Sequence, residues 1–342
     1  MSFDDVALLK DQEEYQIIGK ELLSIMQPLI RCYSPSGSED LVAKAILDFV
    51  KDRCHEWRAF SDCDITNGIG NILAVPKAYL DESSPFASKK KLPVLMAHMD
   101  TVDRNNREQL STYTFPDSLG DHGIVGGEQN FVLGFDDKAG IALILHLMST
   151  CQNPDFKVLF TVQEEQITDP DDDLSVSGRN GGGGIQYALN KYPEFFDTSL
   201  WTIMMDRAED KSGNVQNSVH ITIRGKGEPS DVVCWYLDRD TCSPAFKAKI
   251  EEISVDLGTP MISQRSGAKA DIYNIRLSHP AYSSVNLACG GYREHKSRDY
   301  LCLYQTIRTL RVVRECIRQQ DGCIGQRSAI SSIIIACSMR CD

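Results

Sequence analysis

The sequence predicts an α/β protein in which a mostly parallel mixed sheet is flanked by helices on both faces. Short apolar runs typical of buried strands alternate along the chain with segments of helical periodicity. The 342 residues are enough to bury a large core, and no repeat or linker divides them. We therefore expect a single domain over residues 1–342, in which residues 320–342 form a C-terminal extension of undefined role.

The chain begins with two predicted helices. Apolar side chains recur at helical spacing over residues 12–31, and a turn at Ser34–Ser38 leads into a second helix that Ser38 can cap. Glycine and asparagine turn signals then predict a strand pair over residues 64–75. The apolar run Leu92–Ala97 predicts a buried strand.

The rest of the chain continues the alternation of strands and helices. The predicted elements are a helix from about Asp137, a strand over 157–162, a helix over 185–190, strands over 200–205 and 219–224, a helix over 232–251 broken near Ser243-Pro244, a strand over 284–288 and a helix over 300–319. Such an alternation is typical of a sheet whose strands are joined by crossover helices.

Composition and charge argue against several classes of protein. The chain is 42% hydrophobic and 25% charged, as in ordinary globular proteins, and its net charge of -12 without a basic stripe argues against nucleic-acid binding. The acidic start lacks a secretory signal, and no run of about 18 apolar residues predicts a membrane span. The twelve cysteines contain no C-x-x-C pair, so we expect reduced thiols and a cytoplasmic protein.

Acids and histidines follow the predicted strands. His98 and Asp100 come after residues 92–97, Glu164 and Glu165 after 157–162, Asp206 after 200–205, and His295 beyond 284–288, while Asp136-Asp137 precede a helix. Because the carboxyl ends of parallel strands meet at one edge of a sheet, we expect these side chains to share a crevice.

This set of side chains suits a metal centre. Imidazoles and carboxylates together bind zinc, and a pair of ions needs a bridging carboxylate. His98 and Asp100, two apart on a strand, point to the same side, so one can bind metal while the other orients it. Adjacent Glu164 and Glu165 point to opposite sides, so one can bind metal while the other acts as a general base.

The motifs and their order resemble those of di-zinc exopeptidases related to peptidase T, carboxypeptidase G and bacterial aminopeptidases. The segments that carry the resemblance are Ser34–Glu39, Asp64–Asn71, His98–Val102, Gly134–Gly140, Glu164-Glu165, Asp206 and His295. The resemblance covers most of residues 15–320. It implies a phosphorylase/hydrolase-like catalytic core that cuts peptides with two divalent ions, most suitably zinc, although cobalt or manganese fit the same ligands.

The resemblance also implies a role for each site residue. Asp136 would bridge the two ions, with His98 and Asp206 completing one site and Glu165 and His295 completing the other. A cis peptide bond would follow Asp136.

Two further residues have catalytic roles by the same resemblance. Asp100 would orient His98. Glu164 would take a proton from water and pass it to the leaving amine.

The sequence also departs from the family pattern. Larger relatives insert a dimerisation or lid domain between the fourth and last ligands, but Asp206 and His295 are only 89 residues apart, so we infer that this insert is absent. An acidic insertion separates Glu165 from the glycine run. Relatives have a glycine-rich, substrate-contacting turn where residues 266–271 lie, which makes three residues candidate substrate contacts by analogy: Arg265, Asp271 and Tyr273.

Several alternatives stay open at this stage. An aminopeptidase acting on peptides is the first choice, a dipeptidase or N-acyl-amino-acid deacylase is the alternative, and a non-catalytic binding relative is a third reading. A homo-oligomer is compatible with the sequence. We interpret Gly181–Gly184 as a flexible loop rather than a phosphate cradle, and Asp169–Asp173 as a solvated charge run rather than a calcium site. His122 and His146 are expected to lie outside the metal centre.

Overall fold

The structure is a computed structural model, which describes most of the chain between residues 3 and 320. The described residues are 3–62, 70–82, 84–102, 107–115, 123–165, 183–206, 230–236, 239–259, 261–266, 271–292, 295 and 297–320. For residues 3–13, 230–236, 239 and 262–266 the description covers the backbone alone.

Helices and strands alternate over the described part of the chain. The helices are α1 Phe3–Ile30, α2 Asp40–Arg53, α3 Arg107–Thr112, α4 Phe135–Thr150, α5 Gly183–Lys191, α6 Pro193–Asp197, α7 Pro244–Asp256, α8 Asp271–Ser278 and α9 Leu303–Arg318, with a short 3-10 turn at Lys77–Tyr79. The strands are β1 Trp57–Ser61, β2 Ile72–Pro76, β3 Leu92–His98, β4 Ile124–Gly126, β5 Lys157–Thr161, β6 Ser199–Asp206, β7 Ser230–Tyr236, β8 Arg239–Asp240, β9 Met261–Ser266, β10 Ser284–Ala288, β11 Gly291–Tyr292 and β12 Tyr300–Cys302.

The main sheet is mixed and has a parallel centre. Its strand order is β1-β2-β5-β3-β6-β10-β7-β8, with β9 beside β7, and β11-β12-β4 form a second small sheet. The four central strands β5, β3, β6 and β10 run parallel to one another. The antiparallel pairs are at the flanks, where β2 joins β5 and β7 joins β10. The predicted α/β fold is confirmed, and its four central strands all end at the same edge.

Helices cover both faces of this sheet, as predicted. Successive strand side chains point to opposite faces, so Leu95 and Ala97 pack in one apolar cluster with α1, α2, α4, α7 and α9. Val94 and Met96 pack on the other face with α5, α6 and α8. Helix α4 is buried along nearly its whole length. In the described part of the chain, no helix combines the length and apolarity that crossing a membrane requires.

Several predicted boundaries were wrong. Helix α2 begins at Asp40, so Glu39 holds its N-cap position and Ser38, one residue earlier, does not cap it. The first strand of the N-terminal pair is β1, which lies upstream of the predicted segment; most of the residues between β1 and β2, 63–69, lie outside the described residues. Helix α9 starts only at Leu303, because the three residues before it pair as β12.

The predicted helix over residues 232–251 is also wrong in its first half. Residues 230–236 form β7, because the run from Val232 to Tyr236 is rich in β-branched and aromatic residues that favour strands. The helix starts instead at Pro244, where Ser243 Oγ accepts a hydrogen bond from the amide of Phe246 at 3.2 Å. The strand predicted over residues 219–224 lies outside the described residues.

Candidate metal centre

The carboxyl ends of the central strands bring the predicted side chains together. His98 is the last residue of β3, and Asp206 is the last residue of β6. Glu164 and Glu165 follow β5, and His295 follows β11, which comes directly after β10. A parallel sheet collects side chains at this edge because all of its strands end there.

Two groups of three ligand-type side chains meet at Asp136. His98, Asp136 and Asp206 each offer a ligand atom, and these atoms lie within 4.8 Å of one another. Asp136, Glu165 and His295 form a second such group, and a third combines His98 with both glutamates. Asp136 Oδ1 lies 3.0 Å from His98 Nε2, and Asp136 Oδ2 lies 3.1 Å from His295 Nε2. The two oxygens of one carboxylate therefore face two different imidazoles.

Asp100 fixes the orientation of His98. The Nδ1 atom of His98 lies 2.9 Å from the Asp100 carbonyl oxygen and 3.4 Å from its carboxylate. A proton on Nδ1 can bond these oxygens, and Nε2, which is turned towards Asp136, is then the nitrogen that a metal ion could take in place of a proton. Both residues are almost fully buried. This geometry is the arrangement that a neutral imidazole needs as a metal ligand.

Close packing of α4 against β6 sets the position of Asp136. A Cβ atom at Gly140 would lie 1.9 Å from Met205 O, so only glycine lets the helix approach the strand so closely. Buried Asp137 joins α4 to β3, because its carboxylate accepts hydrogen bonds from the amides of Gly140 at 3.1 Å and His98 at 3.2 Å. The Asp136–Asp137 peptide bond is cis, as expected.

Asp299 holds the residues just before Asp136. Its carboxylate accepts hydrogen bonds from the amides of Leu133 at 2.8 Å, Gly134 at 2.9 Å and Phe135 at 3.5 Å. Asp299 follows His295 by four residues, so one side chain connects the segments that carry two of the candidate ligands. Burial raises its pKa to about 6, although the three amide bonds favour the charged form. Sequence reasoning missed this residue, whose one signal was its position after His295.

Electrostatics at the centre reflect many carboxylates in a small volume. Burial opposes the charge on His98, but hydrogen bonds with Asp100 and Asp136 outweigh it and hold the pKa of His98 well above its usual value. Burial also opposes the charge on His295, yet its bonds with Asp136 and Glu165 raise its pKa to about 10.

The two glutamates behave differently from Asp136. Burial raises the pKa of Glu164 well above its usual value, and the neighbouring carboxylate of Glu165 adds to the rise. Burial likewise raises the pKa of Glu165, whereas bonds from both histidines lower the pKa of Asp136 despite its burial. Divalent cations would replace the protons that the cluster holds, so metal binding here is expected to weaken as the pH falls.

The segment that carries Glu164 and Glu165 leaves the sheet through an unusual backbone conformation. Gln163 has φ +60°, a left-handed value that costs a non-glycine residue about 1–2 kcal/mol. The amides of Glu164 and Glu165 donate to the two oxygens of Asp100, at 2.9 and 2.8 Å. Asp100 thus positions both glutamates as well as His98. Glu164 as a whole residue is half-buried.

The three candidate substrate contacts have separate positions. The side chain of Arg265 lies outside the described residues, although its backbone belongs to β9. Asp271 is fully buried at the start of α8, where Thr161 Oγ1 donates to it at 2.6 Å, and burial raises its pKa to about 7. Tyr273 packs against the apolar cluster beneath α5 and α6. Substrate contact by any of the three stays a prediction.

The glycine run ends in a helix rather than in an open loop. Gly183 and Gly184 form the first turn of α5, and a Cβ at Gly184 would lie 2.3 Å from Val162 O and 2.6 Å from Asn71 Oδ1. Gly184 therefore permits α5 to touch the segment that carries Glu164. Gly181, Gly182, residues 169–173 and His122 lie outside the described residues. His146 is buried in α4 with Nδ1 3.6 Å from Glu21 Oε2.

Comparisons with known proteins agree with this architecture. Neither a scan against protein-family models nor a search of curated proteins found a match. Among solved structures, the aminopeptidase PepT from Bacillus cereus ATCC 10987 is similar with a TM-score of 0.60 at 12% identity, over 90% of this chain and 99% of that one. A TET aminopeptidase from Thaumarchaeota archaeon SCGC AB-539-E09 has a TM-score of 0.62 at 14% identity, over 90% and 99%.

A third solved structure extends the likeness to a tripeptidase. The tripeptidase from Staphylococcus aureus subsp. aureus Mu50 has a TM-score of 0.55 at 13% identity, over 88% of this chain and 99% of that one. The expected resemblance to exopeptidases is thereby confirmed at the level of the fold. The chain has the same α/β fold as two aminopeptidases and a tripeptidase.

Proposed function

We propose that this chain is a metal-dependent hydrolase of peptide bonds, and more specifically an aminopeptidase that uses two divalent ions. The observation that carries the proposal is the pair of ligand groups that share Asp136, within 4.8 Å in each group. Their position at the carboxyl edge of a sheet that known aminopeptidases also have supports the same reading.

The donor set fits divalent cations. Each of the two groups that share Asp136 combines one histidine with two carboxylates, a ligand set that suits zinc and also accommodates cobalt or manganese. The centre brings the carboxylates of Asp100, Asp136, Asp206, Glu164 and Glu165 together with two imidazoles, so positive charge there would relieve their mutual repulsion. His98 and Asp206 would hold one ion and Glu165 and His295 the other, with Asp136 shared.

The protein's own groups then divide the work of hydrolysis. Two ions bound there would activate a water molecule and polarise the scissile carbonyl. Glu164 takes a proton from the attacking water and delivers it to the leaving amine. Burial raises the pKa of its carboxyl above the usual value, a direction that makes the carboxylate a stronger base towards water. Asp100 orients His98 through Nδ1 and holds Glu164 through its amide.

Other activities compete within the same class. A dipeptidase or an N-acyl-amino-acid deacylase would use the same centre with a different recognition of the substrate's amino end. Among solved structures with this fold, PhTET1-12s is a dodecamer in the asymmetric unit, and the TET1 peptidase of Pyrococcus horikoshii can assemble into a tetrahedron or a large octahedral shell. We extend the idea of a homo-oligomer to this chain. A non-catalytic relative would keep the fold and bind a partner instead.

An anomalous diffraction map at the zinc edge, on crystals soaked in zinc, tests the centre. Two peaks about 3–4 Å apart beside Asp136 would support the proposal, whereas one peak or none would overturn the two-ion centre. A parallel panel of peptides with free and acetylated amino termini tests the activity. Hydrolysis of free-amine substrates alone supports an aminopeptidase, and cleavage of acetylated amino acids supports the deacylase. No hydrolysis with both ions bound would favour the non-catalytic relative.

A further inference from the structure

Side chains from three distant motifs hold the segment that follows β5. Four consecutive backbone amides, those of residues 162–165, each donate to a side chain. The acceptors are Asn71 Oδ1 for Val162 at 3.1 Å, Glu39 Oε1 for Gln163 at 3.0 Å, and Asp100 Oδ1 and Oδ2 for Glu164 and Glu165 at 2.9 and 2.8 Å. Neighbouring strands usually satisfy such amides, so the path of this segment depends on side chains instead.

Glu39 is the most remote of these acceptors in sequence. It lies 124 residues from Gln163 along the chain, at the N-cap position of α2, and is 2% exposed. The oxygen that accepts from Gln163 also accepts from the amide of Gly37 at 2.8 Å. Glu39 therefore ties the loop before α2 to the loop after β5.

The neighbours of Glu39 connect the same loop to Asp100. Ser36 Oγ donates to Asp100 Oδ2 at 2.6 Å, and the amide of Thr101 donates to Ser34 O at 2.8 Å. The loop at residues 34–39 thus contacts both the strand end that carries His98 and the segment that carries the glutamates. Glu39 is the member of this loop that reaches Gln163.

Gln163 is the residue whose conformation needs this support. Its left-handed φ of +60° redirects the chain immediately before Glu164 and Glu165. A non-glycine residue keeps such a value only where its surroundings hold it. The bond from the Gln163 amide to Glu39 acts directly on that residue, whereas the Asp100 bonds act on the two residues after it.

We propose that Glu39 is a positioning residue that fixes Glu164 and Glu165 through the backbone of Gln163, without touching metal or substrate itself. The assignment of what Glu164 and Glu165 do rests on the proposed function. The competing explanation is that Glu39 only stabilises the fold. A displacement of about 1 Å in a catalytic group can cost about 100-fold in rate, so the two explanations differ in turnover.

The test compares three substitutions of Glu39 in the full-length, zinc-loaded chain, with an aminoacyl p-nitroanilide as the substrate. Glu39→Ala removes the acceptor and should lower kcat about 10- to 100-fold with KM changed less than about threefold. Glu39→Gln keeps an oxygen at the same reach and should restore kcat to within about threefold of wild type. Glu39→Asp keeps a carboxylate but moves its oxygen away from the Gln163 amide, because the side chain is shorter. Its kcat should therefore be as low as that of Glu39→Ala. If the alanine variant does not fold, Glu39→Asp is used in its place.

A matched control separates positioning from stability. Asp62 is a buried carboxylate that pairs with Lys191 at 3.4 Å, and its side chain is not an acceptor of any of the four amides of residues 162–165. Asp62→Ala should lower the melting temperature without lowering kcat. The inference is overturned if Glu39→Ala has the kcat of wild type. It is also overturned if Asp62→Ala, at the same loss of melting temperature as Glu39→Ala, loses as much kcat. A Glu39→Gln variant as slow as Glu39→Ala would overturn it as well.

Titration with Co²⁺ distinguishes this inference from the proposed function. Glu39→Ala should weaken the binding of one of two Co²⁺ ions and alter the visible absorption spectrum, because Glu165 moves, whereas Glu39→Gln should keep both. If wild type binds two ions but cleaves no substrate, the proposed function fails while the altered spectrum still supports the role of Glu39. If wild type is active and Glu39→Ala matches it in spectrum and affinity, the inference fails while the function stands.

Discussion

The segments that carry Glu165 and Asp136 meet in one centre, yet the chain holds them in different ways. Residues 162–165 bond through four amides to three side chains, Asn71, Glu39 and Asp100. Residues 133–135 bond through three amides to the single carboxylate of Asp299.

The difference predicts how each segment fails. Support shared among several acceptors should weaken in steps, because losing one of them leaves the others in place. Support from one carboxylate should fail at once, because several buried amides lose their acceptor together. The first segment also combines a proposed ligand with a proposed base, so positioning and chemistry can be separated there by substitution.

The largest expected effect separates chemistry from metal binding within the first segment. Glu164→Gln should keep both ions and lose about 1,000-fold in kcat, because an amide cannot carry the proton. Glu165→Gln should instead weaken metal binding, measured by isothermal titration with zinc. Near-normal turnover in the Glu164 variant would contradict the assigned base.

The next effect concerns the helix that carries Asp136. Gly140→Ala places a methyl group 1.9 Å from Met205 O, so we expect a loss of about 3 kcal/mol or more in the free energy of unfolding, measured with urea. Gly291→Ala is the matched control, because its methyl group meets Phe135 Cβ at an ordinary 3.8 Å. Equal stability of the two variants would show that α4 does not depend on this contact.

Replacing the single acceptor tests the comparison itself. At pH 8, Asp299→Asn should lower the free energy of unfolding by about 3 kcal/mol. The substitution replaces one acceptor oxygen by an NH2 group, which cannot accept a hydrogen bond from the backbone amides of residues 133–135. Asp155→Asn, which removes an ion pair with Lys90 at the surface, should cost less than about 1 kcal/mol. If Asp299→Asn lowered the free energy of unfolding less than Glu39→Ala does, the proposed difference between the two segments would be wrong.

The smallest effect is a pH dependence of stability that Glu39 causes. Burial, with Asp100 nearby, raises the pKa of Glu39 to about 7 from an ordinary value of 4.5. The folded state therefore binds this proton more tightly than the unfolded state, so its stabilising contribution is complete below pH 4.5 and is lost as the pH rises through 7.

The matching measurement uses Glu39→Gln, which has no proton to lose at this position. Relative to that variant, wild type should lose about 2 kcal/mol of unfolding free energy between about pH 5.5 and pH 8. Urea unfolding of both proteins at the two pH values gives the difference. A constant difference between them would mean that Glu39 does not titrate in this range.

The sequence predicted the centre of the fold better than its connections. Strands such as Leu92–His98 are continuous apolar runs that end in polar residues. Central strands that are buried on both faces have this pattern, so they can be recognised without knowledge of their partners. The first half of the segment 232–251 was misread, because a short apolar run fits a strand or a helix equally well without its partners. The pairing of β7 with β10 and β9 decides that case.

The candidate ligands could be predicted, but the residues that hold them could not. Ligands reveal themselves by chemical type at strand ends, as His98 and Asp206 do. Glu39, Asn71 and Asp299 act through backbone amides far away in sequence, and a hydrogen bond across 124 residues leaves no local pattern. Glu39 and Asn71 lay within the motifs that carried the resemblance, but nothing in those motifs indicated which atoms they would meet.

The arrangement of the centre along the chain has a consequence for biosynthesis. The side chains that converge come from positions between residues 98 and 295, at or after the ends of β3, β5, β6 and β11 and in α4. Contacts of such long sequence separation form late in folding, after the costly closure of large loops. A nascent or partly folded copy therefore lacks a complete centre, and any peptide cleavage by this chain begins only when folding is finished.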